Sequence, residues 1–293
     1  MSLVPADVWG VLTDPWAEGI VQRAFAEIVL LGIVGGMLGC WIVFYELSYS
    51  AESLSHALFP GLVVAALSGA SLVLGAAGGL LLAAVAIALA GRAPGVGSDS
   101  AVAIVVSGLF GLGALLALSA ESPPRLNALL FGDILGVSNL DLALAAGLAV
   151  VSVAILAALH RQLLLVGFDR TSARALGGRP VLVDITLLVL LALAVLVGVQ
   201  GLGSLLVVTV LVGPAATARL VAHRMGPMMA LATLFAVLAG AGGLYLSYYA
   251  DTAGGASIAA AVVAVYVAIW AATAAAPGRG RARAVAIADH PNH

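Results

Sequence analysis

The chain has 293 residues, 63% of them hydrophobic and 9% charged, with a formal net charge of −2. A soluble domain carries about 25% charged residues, so the composition excludes a soluble enzyme with one anchor and describes an all-α, polytopic membrane protein. Lysine is absent and all twelve basic residues are arginine, which rules out a Gly-x-x-x-x-Gly-Lys-(Ser/Thr) nucleotide loop. No zinc-hydrolase helix or Ser/His/Asp arrangement stands out either. The chain therefore reads as a non-enzyme with no permanently bound cofactor and no affinity for nucleic acid.

Residues 1–19 carry Asp7, Asp14 and Glu18 without a basic leading stretch, so no cleavable signal peptide is expected and the segment is placed outside. Apolar spans follow near 20–45, 52–69, 71–91, 99–119, 139–159, 181–198, 202–221, 227–247 and 256–275; about 20 residues suffice to cross the hydrocarbon core. Only Gly69 and Ala70 separate the second span from the third, so eight or nine transmembrane helices are expected. A short apolar piece, Leu126–Leu135, reads as a re-entrant or partial helix. Residues 20–275 thus form one transmembrane domain. The tail 276–293, with Gly278-Arg-Gly-Arg-Ala-Arg283, reads as a disordered cytoplasmic segment touching anionic lipid. Cys40, the lone cysteine, lies inside the first span and reads as a small core residue.

Arginine placement sets the orientation. With the C-terminus inside, Arg92, then Arg161, Arg170, Arg174 and Arg179, then Arg219 and Arg224, then Arg279, Arg281 and Arg283 fall on the inner side. Only Arg23 and Arg125 fall outside, so ten of twelve share one side. Nine spans then put the N-terminus outside. The outer loops carry Glu121, Asp133 and Asp251, which mildly concentrate cations. The turn before Glu52 falls inside yet bears Glu46 and no arginine.

The stretch Ser50–Gly61 sets Glu52 and His56 four residues apart at the start of a predicted membrane helix, on one helical face. Ionisable groups at membrane depth are costly and mark a path or a site. A carboxylate is a hard ligand and a neutral imidazole a borderline one; together they suit Zn²⁺, Mn²⁺ or Fe²⁺, with zinc slightly ahead. The bland reading is a pair of polar groups satisfying one another. Ser53 and Ser55 either orient the ligands or cap backbone groups, the latter being preferred. Asp133 is an N-cap for the next span or a vestibule carboxylate, and Asp251 a turn residue or a guide for metal. On the inner side, Asp169 or Thr171 caps a short helix over Ala173–Leu176 that Gly177 and Gly178 end. This segment is either an ordinary arginine-rich loop or a docking helix for a cytoplasmic partner. Asp184 reads as an N-terminal helix charge, Arg219 as an inner anchor, and His160 and His223 as interfacial. His290 and His293 in the tail are weak as metal ligands.

Five segments in order resemble the permease subunits of ABC-type zinc, manganese and iron importers, the metal ABC transporter permease family ABC-3. They are Glu52-Ser-Leu-Ser-His56-Ala57, Leu130-Phe-Gly-Asp133, Gly167-Phe-Asp-x-x-x-Ala-Arg-Ala-Leu-Gly177, Pro214-Ala-Ala-Thr-Ala-Arg219 and Asp251-Thr-Ala-Gly-Gly255. The resemblance runs from about residue 20 to 275, with a glutamate at position 52 where the family usually has aspartate. It implies the ABC importer permease fold in the inner or plasma membrane of a prokaryote. It implies Glu52 and His56 as metal-pathway ligands and Phe168, Asp169, Arg170, Arg174 and Gly177 as the coupling segment for an ABC ATPase. It also implies an extracytoplasmic metal-binding protein and a second copy of the chain as partners. The rival reading is a stand-alone ion-coupled carrier using Glu52 and His56 as a protonation relay; an inverted repeat would favour it, and none is convincing.

Overall fold

The structure is a computed structural model that describes residues 14–90, 98–118, 132–204 and 206–275. Glu121, Arg125, most of Leu126–Leu135, Arg92 and the tail from 276 with His290 and His293 lie outside the described residues. Among those described there are helices and no strands. After a 3₁₀ turn at Asp14–Ala17 come α1 (Gly19–Phe44), α2 (Ser48–Ala57), α3 (Phe59–Ser68), α4 (Leu72–Ala90) and α5 (Ser98–Ala117). A second 3₁₀ turn, Ile134–Gly136, leads into α6 (Asn139–Phe168), the short α7 (Arg170–Ala175), α8 (Pro180–Leu202), α9 (Val207–Val221), α10 (Met225–Ala250) and α11 (Gly254–Ala275).

Among the described residues, seven stretches are long and apolar enough to cross a membrane: α1, α2 with α3, α5, α6, α8, α10 and α11. Leu72–Ile87 within α4 and Val207–Val221 are shorter apolar helices. Each predicted span thus meets a helix, and the second and third remain separate. Gly69 ends α3 in the left-handed region at φ 70°, a conformation that costs glycine nothing.

The second span is not one helix. It breaks at Leu58, and Pro60 stands in the first turn of α3, where a missing N–H leaves no bond unmade. Glu52 and His56 therefore lie on a ten-residue helix that ends one residue after His56.

Helix α1 is the staff of the molecule, with α6, α8, α9 and α10 packed on it; α11 closes against α9 and α10, and α4 and α5 gather around α2 and α3. Small residues permit this. A Cβ at Gly36 would collide with the backbone of Thr233, and one at Gly39 with the Leu211 carbonyl, so the helices approach as only glycine allows. Trp41, Leu38, Ile42, Leu187, Leu190 and Leu191 fill the core around α1 and α8.

Helix α6 starts from a reciprocal cap: Asp141 N–H donates to Ser138 Oγ at 3.2 Å and Ser138 N–H to Asp141 Oδ2 at 2.9 Å. Asp133 is thus not the cap of that span. Its carboxylate accepts from Gly136 N–H at 3.0 Å and caps the 3₁₀ turn instead.

Candidate metal site

Glu52 and His56 are brought together as their spacing requires. His56 Nε2–H donates to Glu52 Oε1 at 2.9 Å. The Glu52 side chain is 51% exposed and that of His56 22%, so the pair opens onto a face of the molecule rather than into its core. His56 Nδ1 is buried and has no hydrogen-bond partner among the described residues. The ring is held instead by packing: it meets Phe110 of α5 edge-on at 4.8 Å between centroids, and Phe110 leans on Phe59 at 5.3 Å. One imidazole nitrogen and a half-exposed carboxylate can grip a cation weakly from one side. No group of three or more His, Cys, Asp or Glu side chains converges among the described residues.

Ser55 Oγ donates to the Glu52 carbonyl at 2.8 Å, a bond within α2 rather than a cap, since the helix already begins at Ser48, and Ser53 is buried.

Asp133 and Asp251 lie at another place. The Asp133 N–H donates to the Gln200 carbonyl near the end of α8 at 3.4 Å. Asp251 is exposed and terminates α10 in the left-handed region at φ 51°. Their loops adjoin, because Gly254 packs against Ile134. This end of the molecule is where α1 begins and α8 stops, whereas Glu52 follows the far end of α1, whose 26 residues measure about 39 Å at 1.5 Å per residue.

Two residues with a bearing on function carry no mark in the motifs. Phe110 reaches His56 across the fold, and nothing local in sequence announces it. Glu27 is another matter, as an acid alone in the first apolar run. It is fully buried, the only charged side chain so placed among the described residues, and neither carboxyl oxygen has a partner. It faces Gly201 near the end of α8, where a Cβ would stand 2.9 Å from Oε1.

Residues 168–178 form the expected short capped helix, over Arg170–Ala175 rather than Ala173–Leu176. Asp169 caps α7, accepting from Thr171 N–H at 2.8 Å and from Ser172 Oγ; these bonds, Ser172 first, hold its pKa below the ordinary carboxylate value. Gly177 takes φ +81°. Phe168, Leu176 and Arg174 are exposed. Asp184 is more than a helix-end charge: Arg170 donates to both of its oxygens, at 2.8 and 2.9 Å.

Known proteins resolve what this set of residues belongs to. Residues 18–273 match the model of the ABC 3 transport family. The chain belongs to that family. It is 35% identical over 239 residues to the manganese transport system membrane protein MntC of Halalkalibacterium halodurans, covering 81% of this chain and 82% of that one. It is 30% identical over 248 residues to the chelated iron transport system membrane protein YfeD of Yersinia pestis, covering 85% and 84%. The solved structure of PsaBC from Streptococcus pneumoniae in complex with Fab superposes with a TM-score of 0.82 at 30% identity, over 90% of this chain and 95% of that one. The fold is that of an ABC permease, and the chain is a multi-pass transport subunit of ABC 3 type.

Proposed function

We propose that this chain imports a divalent transition metal, manganese foremost, with Glu52 and His56 holding the ion in transit. The observation that carries the reading is the pair itself: a carboxylate and an imidazole joined at 2.9 Å on a broken membrane helix, half open to the surroundings. The donor set alone does not separate Zn²⁺ from Mn²⁺ or Fe²⁺. What favours manganese over the zinc preferred on sequence is the naming of relatives such as MntC, with iron next through YfeD.

The chemistry follows from the contacts. An arriving ion takes the Nε2 lone pair once the proton that bridges to Glu52 has passed to Nδ1, so that the imidazole stays neutral. Two ligands from one chain hold it loosely enough to release, and a second copy across a two-fold axis would add another Glu52 and His56. Energy comes from a separate ABC ATPase docked on the exposed side of α7, since the lysine-free sequence holds no nucleotide loop. An extracytoplasmic binding protein delivers the ion to the end bearing Asp133 and Asp251, which the arginine bias places outside.

The test is uptake of Mn²⁺, Zn²⁺ and Fe²⁺ in cells lacking their own importers, with and without this chain and its ATPase. Mn²⁺ accumulation that needs both chains is expected. Accumulation without any ATPase would point to the carrier, and no accumulation of any of the three ions would sink the reading.

A further inference from the structure

The inner ends of α1, α6, α7 and α8 meet in one joint. Helix α7 is a closed unit, capped by Asp169 at its start and tied at its end by Gly178 N–H donating to the Ala173 carbonyl at 2.7 Å. Its covalent link to α8 runs through Gly177 and Gly178, with Gly177 at positive φ and, among the described residues, nothing within 4 Å of where its Cβ would stand. Glycine at positive φ can change conformation at low cost. The firm connection is a side-chain one. Arg170 turns back from α7 onto Asp184 in the first turns of α8 and grips both carboxylate oxygens, at 2.8 and 2.9 Å. A two-pronged guanidinium–carboxylate contact fixes direction as well as distance. Exposed ion pairs add little to stability, and these side chains are 53% and 32% exposed, so stability alone is a poor reason for the contact.

The joint extends to the helix that bears the metal pair. Tyr45, directly after α1, lies within electrostatic reach of both Arg170 and Asp184, and its Oη donates to the Leu163 carbonyl of α6 at 2.8 Å. Phe168 meets Phe44 edge-on at 5.5 Å. Helix α2 begins three residues after Tyr45, and α8 packs along it.

We propose that the Arg170–Asp184 pair is a coupling strut that makes α7 carry α8 with it, so that a push on the exposed side of α7 displaces α2 and its Glu52–His56 pair. Arg170 is then a positioning residue, not a docking one. The proposal rests on the ATP-driven reading above.

The test uses the complete importer, this chain with its ATPase, in liposomes supplied with Mn²⁺ and ATP, reading ions moved per phosphate released. Arg170→Asp and Asp184→Arg should each lower that ratio by at least about fivefold, the low end of coupling between distant sites. The double swap Arg170→Asp with Asp184→Arg should recover most of it. Arg170→Lys, which keeps the charge and loses the fork, should fall between and guards against a single reversal that does not fold. Unaltered ratios in all single variants would overturn the strut. So would loss of coupling, or of the bound ATPase, that the swap leaves unrepaired, because Arg170 would then act on the ATPase directly. A wild-type chain that fills liposomes with Mn²⁺ without an ATPase would instead overturn the ATP-driven reading, before any variant is compared.

Discussion

Two acid–base pairs sit on neighbouring helices and differ in almost every respect. Arg170 and Asp184 join by two hydrogen bonds, between a cation that does not lose its proton and a carboxylate used at both oxygens. His56 and Glu52 join by one, between an imidazole and a half-exposed carboxylate, with no hydrogen-bond partner for the other imidazole nitrogen among the described residues. The first pair is built to stay closed while its helices move. On the proposed reading, the second opens for another ligand. Bond count, exposure and the identity of the base separate a mechanical contact from an exchangeable one, although both look like simple salt bridges in a list of charges.

The largest effect should come from the open pair. His56→Ala removes the proposed nitrogen ligand, and uptake should fall by more than the roughly 10–100-fold typical of changes beyond the ligand sphere, with membrane insertion intact. Native-rate uptake by a well-expressed His56→Ala chain would remove the distinction between the pairs. Glu52→Asp withdraws the carboxylate by one methylene; transport should persist and the ratio of Mn²⁺ to Zn²⁺ uptake should shift.

The closed region makes a sharper prediction because its two arginines face different ways. Arg174 is exposed, so Arg174→Glu should weaken co-purification with the ATPase several-fold, as a rim charge does, while leaving the ions moved per ATP in the assembled fraction close to wild type. If binding of the ATPase is indifferent to Arg174→Glu, the docking face lies elsewhere. The cap of α7 adds a pH window. Asp169 has a lowered folded pKa, so its contribution is fully present above the ordinary aspartate value, about 3.9, and is lost only as pH falls through the lower folded one. Association with the ATPase should therefore be insensitive to this group from pH 7 down to about 5. A drop that begins at pH 6 in wild type and vanishes in Asp169→Asn would contradict that sign.

Glu27 extends the comparison to an acid with no hydrogen-bond partner among the described residues. Burying a carboxyl without a donor costs on the order of 1–3 kcal/mol, so Glu27→Leu should raise the melting temperature of the chain in detergent and Glu27→Gln should do so less. A lower melting temperature for Glu27→Leu would mean that the carboxyl has a partner in the working molecule.

Much of this was legible beforehand. Long apolar runs make span positions readable because each must satisfy its backbone internally in lipid, and the i,i+4 spacing of Glu52 and His56 fixes a shared face wherever the helix lies. The break at Leu58 was written in Pro60, but the run of apolar residues across it masked the stop. Asp133 before an apolar stretch read as a helix cap; Ser138, with Asp141 three residues on, is the stronger signal and took that place. The Arg170–Asp184 contact was hidden because its partners lie 14 residues apart across a turn whose course depends on two glycines. Phe110 was hidden for the same reason at greater separation. Glu27 was visible as a lone acid in a membrane run and needed only the general cost of such a group to be noticed.

The smallest effect is expected at the end of the molecule farthest from both pairs. Asp251 is exposed in a turn and shares that end with Asp133. Among the described residues neither joins a cluster that could hold a metal firmly, so on the proposed reading their influence on an approaching ion is a screened field that fades over about 8 Å at physiological salt. Asp251→Asn should raise the apparent KM for Mn²⁺ by about twofold or less, and the effect should grow as salt is lowered, because the field then reaches farther. The maximal rate should not change, since the residue touches neither the joint nor the metal pair. A tenfold rise that persists at high salt would make Asp251 a true ligand. The side of the membrane is tested separately: a cysteine at position 251, with Cys40 replaced, should react with an impermeant thiol reagent applied to intact cells. Labelling only after lysis would place the acids inside and reverse the direction of transport that the arginine bias assigns.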